Sequence, residues 1–412
     1  MTTLLFLQRA LRVDDNPALQ RVRRAERLIV ASARTLQCST PLADPFRFHY
    51  SDHRHRFRLE CLADLDRALQ QRHLSLNVIE DNRAETLAGL LMGNGVRHLV
   101  MDPHPDPQQQ RSFEAALVKV MPRLRIESVD CNSLFSAEQL AVDADCLPQV
   151  FGQFRRHVEK CALKPGPIEP LATLSIVASA DAQMTARFSG GEQAGLAHLH
   201  RYLFDDRHVS HYKATRNGLL NESDGSRFSV WLADGALSPR RIWIELDRYV
   251  ETCGEDEHTQ WLRVELLWRE FFRWNLLLKG SGRYLRETSL PVLSDEKRRR
   301  LTAWQQGCTG VDFVDANMIE LCRTGFMSNR GRQNVASFLI HDLEVHWLYG
   351  AIWFEQQLID FDLASNLGNW AYIAGCGHDP RQGRRFNIQR QASEYDPDGA
   401  YVRRWLTSRS LL

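Results

Sequence analysis

The chain has 412 residues, 43% hydrophobic and 25% charged, and its 52 basic and 51 acidic residues leave a net charge of +1. Such a make-up belongs to a globular protein long enough for two domains, and its overall balance hides any local asymmetry of charge. Nine cysteines lie scattered, with no C-x-x-C pair and no ligand-like spacing to histidine, so zinc, iron–sulfur and disulfide frameworks are not expected. No apolar run approaches a membrane span and the N-terminus lacks a signal-peptide pattern, so a cytoplasmic protein is expected.

In chain order, Leu4–Leu7, Leu28–Ala31, Leu74–Ile79, Leu99–Met101 and Ile126–Val129 read as buried strands. Between them Leu62, Leu65 and Leu69, and later Phe113 and Leu117, fall at helical spacing. The alternation predicts an α/β domain with a doubly wound parallel sheet over residues 1–130. Asn16 before Pro17 predicts a capped helix start. No G-x-G-x-x-G follows the first strand, so the dinucleotide fingerprint is absent. Over residues 131–200 the periodicity weakens around Pro148, Pro165, Pro167, Pro170 and a Ser189-Gly190-Gly191 break, which predicts an inter-domain connector. Residues 201–412 are helical in pattern and carry all ten tryptophans, the first being Trp231.

Polar residues within that apolar half mark a candidate pocket. Glu265, Trp268, Arg269 and Phe272 share one face of a helix over His258–Leu278, a mixture suited to a cavity that takes a flat, polar-edged ligand. Gly225-Ser226-Arg227-Phe228-Ser229 precedes an apolar run, and small hydroxyl residues beside glycine at a helix start suit phosphate. Two further segments, Thr324 to Asn334 and Asp360 to Trp370, are dense in Asn, Arg and Asp. Ser328 or Asn329 as an N-cap and Gly368 as a turn residue would account for one polar residue at each helix end. The remaining arginines and carboxylates predict a polar pocket for a large ligand.

These segments, with Leu11–Leu19, Gly190–Glu192, His211–Leu219 and Leu267–Phe272, resemble the photolyase/cryptochrome family, and within it cryptochrome DASH most. The resemblance spans nearly the whole chain. It implies an all-helical C-terminal domain binding FAD, with Tyr212, Gly225, Ser226, Arg227, Phe228 and Ser229 at the phosphates. It implies that Glu265, Arg269, Asn329, Arg332, Asp360, Asp362 and Asn366 line the flavin and ribose. Arg332 and Asp360 match a salt bridge beside the flavin ring, and Asn366 matches the residue opposite its N5.

The implied activity is blue-light-driven repair of cyclobutane pyrimidine dimers, favouring single-stranded DNA; the alternative is a blue-light photoreceptor. Glu265 and Trp268 match the carboxylate and stacking residue that contact the dimer, Gln333 replaces a common Met, and Arg385 belongs to a substrate-binding set. Arg240-Arg241, Arg381, Arg384-Arg385, Arg390 and Arg403-Arg404 are expected to meet DNA phosphates. Trp370 and Trp347 match the inner steps of the family's electron route, whose outer tryptophan is replaced by Ser294. Departures from the pattern are Val230, Asp234 and Leu367. Phe151–Glu159 resembles a segment near a folate antenna, leaving room for 5,10-methenyltetrahydrofolate. A monomer without a metal ion is expected.

Overall fold

The computed structural model describes residues 2–43, 48–168, 188–285, 289–377 and 383–407. Pro170 of the connector and Arg381 of the basic set lie outside them. Five parallel strands, β1 (Thr2–Phe6), β2 (Arg27–Thr35), β3 (Leu76–Asp81), β4 (His98–Met101) and β5 (Arg125–Ser128), stand in the order β3-β2-β1-β4-β5. Each run expected to be a strand is one, and the order is that of a doubly wound sheet.

Helices α1 (Pro17–Val22), α2 (Asp52–Gln70), α3 (Ala84–Gly93) and α4 (Pro107–Val120) link the strands. Asn16 caps α1 by accepting the Leu19 N–H, with Pro17 in its first turn. Side chains of β1 alternate between two cores. Leu5 joins one with Phe57 and Leu65 of α2, while Leu4 and Phe6 join another with Leu87, Leu91 and Leu117. A strand buried on both faces is what a parallel sheet with helices on each side requires.

After β5 come α5 (Ala137–Leu140), α6 (Phe151–Lys160) and α7 (Glu192–His200). Short helices α8 (Tyr212–Thr215) and α9 (Ser229–Ala233) lead into the long α10 (Pro239–Cys253) and α11 (Glu257–Lys279). The rest is α12 (Asp295–Gln305), α13 (Asp312–Thr324), α14 (Asn329–His341), α15 (Trp347–Gln357), α16 (Leu363–Ala374), α17 (Ile388–Tyr395) and α18 (Ala400–Thr407). No helix among the described residues is long and apolar enough to cross a membrane.

The two halves share a core: Leu5, Phe57 and Phe135 pack in one cluster with Trp231, Phe271 and Trp304. Polar contacts between them are equally specific. Buried Arg12 donates to the carbonyls of Asp14, Asp15, Cys131 and Gly235 and to Asn132 Oδ1. Glu270 of α11 accepts the N–H groups of Leu134 and Phe135. At the end of α15, the buried Glu355 carboxylate accepts the N–H groups of Ser39 and Thr40, each at 2.7 Å. Ser51 donates to the carbonyls of Gln356 and Gln357. Those bonds hold the stretch just before Asp360 against the α/β half.

Two sequence expectations change here. Gly368 is not a turn residue; it sits inside α16, where an added Cβ would come within 2.2 Å of the Phe272 ring. Arg240 and Arg241 face inward, bonded to Asp15 and Asp14, because the β1–α1 loop brings two carboxylates to the start of α10. Of the family departures, Val230 and Leu367 are fully buried, and Asp234 meets buried Arg58 of α2 at 3.2 Å. A charge at position 234 is thus matched from the other half of the chain.

Candidate functional site

A cavity of about 560 Å³ opens between α9, α11, α14 and α16, a size usual for small-molecule and cofactor sites. Its wall contains Tyr212, the whole Gly225–Ser229 loop, Glu265, Trp268, Arg269, Asn329, Arg332, Gln333, Asp360, Asp362, Asn366 and Trp370. Sequence positions as far apart as 212 and 370 therefore meet in one place.

One end is built for anions. Gly225 has φ +76° and Arg227 φ +55°, a left-handed curl in a loop that lines the cavity and of the kind that binds anions through backbone N–H groups. His198 Nε2 donates to the Ser226 carbonyl at 2.8 Å, which secures the loop from behind. Burial pushes the His198 imidazole down to about 4, so it serves as a neutral N–H donor. Tyr212 is buried beside the loop, and burial pushes its phenol far up.

The middle of the wall carries the charged set. Arg332 Nη2 bonds both oxygens of Asp360, at 2.9 and 2.8 Å, and its Nε donates to the Met327 carbonyl. The Ser229 hydroxyl donates to the same carboxylate at 2.7 Å, a role in addition to the phosphate contact expected of it. Ser328 caps α14 and Asp362 caps α16, so the capping reading explains one residue of each segment and leaves the others to the cavity. Burial would raise the Asp362 carboxyl, but the Arg269 guanidinium and the Ser365 N–H outweigh it and hold it below its ordinary value. Arg269 itself donates to the Asn132 carbonyl at 2.8 Å. The Asn366 amide donates to the Ala351 carbonyl at 3.0 Å, and among the described residues no donor engages its oxygen.

Toward the mouth stand Glu265 and Trp268, one turn apart on α11. Glu265 Oε1 accepts from Arg216 at 2.5 Å and from Trp261 Nε1 at 3.1 Å. Burial pushes its carboxyl up, against the pull of Arg216 and Trp261. Trp268 is backed by Phe151 of α6, parallel at 3.7 Å between ring centroids. Phe151, the first residue of the segment that was compared with an antenna site, thus stands directly behind Trp268. Gln333 accepts at Oε1 from Arg330, whose guanidinium lies 4.5 Å from the Tyr395 ring.

Trp370 is buried on the wall, with its ring over Gly350 of α15. Trp347 is absent from the lining and buried one turn before Gly350, on the same face. Ser294 accepts the Lys297 N–H as the cap of α12. Arg385 does not reach the cavity: it pairs with Asp342 on the surface, and Arg384, stacked over Tyr372, lines the mouth instead. Residues 383–387 form no helix or strand, so no periodic pattern in the sequence says which of the two arginines faces in. Arg390, Arg403 and Arg404 are exposed. Missed by the sequence reading were Arg216, Trp261, Glu320 and Tyr372, all on the wall, where Arg384 of the basic set also stands. Arg216 stood in a recognised motif, and its four-residue step from Tyr212 was the available signal.

The lining fits FAD. Curled N–H groups and hydroxyls suit two phosphates, carboxylates suit ribose hydroxyls, and the open Asn366 oxygen suits an N–H at a flavin edge. Comparison with known proteins agrees. Residues 261–410 match the FAD binding domain of DNA photolyase, and residues 3–173 match DNA photolyase. A cryptochrome DASH of Gloeobacter violaceus is 38% identical over 98% of this chain and 85% of its own. A Synechocystis cryptochrome crystal structure superposes with a TM-score of 0.85 at 32% identity, covering 100% of this chain and 89% of that one. A class III photolyase from Agrobacterium tumefaciens gives 0.78 at 25% identity, over 98% and 86%. FAD is accordingly the cofactor of this cavity, and the chain belongs to the photolyase/cryptochrome family, alongside the cryptochrome DASH proteins.

Proposed function

We propose that this protein splits cyclobutane pyrimidine dimers in DNA under blue light, and acts better on single strands than on duplexes. Reduced FAD, when bound, supplies the light-driven electron that opens the dimer and recovers it afterwards. The chain's own residues bind and orient. Tyr212 and the Gly225–Ser229 loop take the phosphates, Arg269 and Asp362 the ribose side, and Arg332, Asp360 and Asn366 the ring. Glu265 offers a carboxylate to the dimer's N–H edge, and Trp268 offers a flat face for stacking. Arg384 and the exposed Arg390 and Arg403 meet backbone phosphates. The observation that carries this reading is the shared wall: Glu265 and Trp268 open into the same cavity as Asn366 and the Arg332–Asp360 pair. A dimer held by the first pair would lie beside the group held by the second.

The strand preference follows from energetics, because extruding a dimer from a duplex costs a few kcal/mol that a single strand avoids. The test is to illuminate the reduced, FAD-loaded protein with dimer-containing single- and double-stranded oligonucleotides and count repaired product. Repair is expected on both, faster on single strands, and Glu265→Ala should lower repair more than FAD content. No repair of single strands by the loaded protein would leave the photoreceptor reading in its place.

A further inference from the structure

We propose that Arg330 is a positioning residue that locks the Gln333 amide so that the cavity presents N–H donors to a substrate carbonyl. The inference rests on the dimer-binding reading and adds which edge of the pyrimidine is recognised. Arg330 and Gln333 lie three residues apart on α14, hence on one face, and both line the cavity. Arg330 Nη1 donates to Gln333 Oε1 at 2.9 Å. A guanidinium has donors only, so the amide oxygen must be the atom it meets. The Gln333 NH2 group is thereby turned away from Arg330, and no hydrogen bond within the described residues engages it.

Arg330 is itself confined. Its guanidinium stacks over Tyr395 of α17 at 4.5 Å. The next helices are tied together by Asn334 Nδ2, which donates to the Arg330 carbonyl and to Gln391 Oε1. The amide orientation is therefore set by a stacked, helix-anchored cation.

Across the cavity Glu265 complements it. Among the described residues the donors to Glu265 are Arg216 and Trp261, and both meet Oε1, which leaves Oε2 as an acceptor for a substrate. A donor on one wall and an acceptor on another match a ring edge that carries C=O beside N–H. That edge is the imide of thymine or uracil, not the amidine of cytosine, whose donor and acceptor are reversed.

The test measures, in the dark with FAD-loaded protein, the affinity for a dimer-containing single strand relative to the same undamaged strand. Taking the ratio removes contacts to backbone phosphates, which both strands share. Gln333→Glu keeps the shape and the Arg330 partner but removes the NH2 group. It is expected to lower the ratio about ten-fold, the effect of one hydrogen bond plus a mismatched acceptor. Arg330→Met is expected to lower the ratio as Gln333→Met does, and Arg330→Met/Gln333→Met no further than Gln333→Met alone. FAD content and melting temperature report folding for each variant. A wild-type ratio in Gln333→Glu, or losses that multiply in the double variant, overturn the inference while dimer binding stands. A wild-type protein that does not prefer the dimer strand overturns the dimer-binding reading, and this inference with it.

Discussion

Asp360 has no exposed side-chain surface, and among the described residues Arg332 and Ser229 supply its hydrogen bonds. Arg332→Leu should leave an uncompensated carboxylate and cost about 3 kcal/mol, toward the low end for broken buried pairs because Arg332 is partly exposed. The ratio of flavin to protein absorbance should fall together with the melting temperature; a variant that keeps both would show that the pair is dispensable. The tryptophans give a second prediction at this scale. Trp370→Phe and Trp347→Phe should each strongly slow flavin photoreduction by an external thiol. Ser294→Trp should speed it, at the cost of about 1 kcal/mol, because Ser294 now caps α12. Unchanged photoreduction in both Phe variants would reduce the two tryptophans to core packing. On the wall, Glu265, Trp268, Arg269 and Phe272 were readable from their regular spacing on one helix, whereas Tyr212, the Gly225–Ser229 loop, Arg332, Asp360, Asp362 and Asn366 took their roles from the family resemblance. Arg216 escaped, and Arg384 was read only as one of a DNA-facing set, because a short helix and an irregular segment carry them, where no helical period constrains orientation.

Helix α11 shows how much an element can disclose. A capping box of Asp256 with Thr259 starts it, and its cavity face was legible from the spacing of Glu265, Trp268, Arg269 and Phe272. The contacts beside that face, where Arg269, Glu270 and Arg273 grip residues 130–135, were not, because they depend on partners far away in sequence. The start of α7 offers a pH test. Glu192 accepts the N–H groups of Val13 and Asp14. Burial nonetheless pushes its carboxyl up from 4.5 to about 7. A raised carboxyl binds its proton more tightly in the folded state. Its stabilisation is therefore complete below about 4.5 and is lost as pH rises through about 7, on the order of 3 kcal/mol. Wild-type melting temperature should fall from pH 5 to pH 8, and Glu192→Gln should flatten that slope. Parallel profiles would assign the pH dependence elsewhere.

At the scale of the molecule, sequence patterning disclosed the two architectures but not how they join. Periodicity reports which residues are buried, whereas the joint is made by single polar groups such as Arg12, Glu355 and Arg58, whose partners no local pattern announces. Asp234→Ala should therefore destabilise by roughly 3 kcal/mol, since Arg58 is left buried with uncharged acceptors, the carbonyls of Gln8 and Ala33 and the Ser32 hydroxyl. Arg58→Met combined with Asp234→Leu should recover most of that loss in the urea midpoint, and a single variant within 0.5 kcal/mol of wild type, the usual scatter at surface sites, would show the pair to be incidental. The anchoring of Glu355, Gln356 and Gln357 reaches further. The carboxylates at 360 and 362 stand a few residues beyond bonds to Ser39, Thr40 and Ser51. A helical half excised at the connector would carry every residue of the cavity wall and still lack the scaffold that spaces them. For protein engineering the flavin chamber is thus not a portable cassette: a minimal flavoprotein cut from this chain has to begin at its first strand.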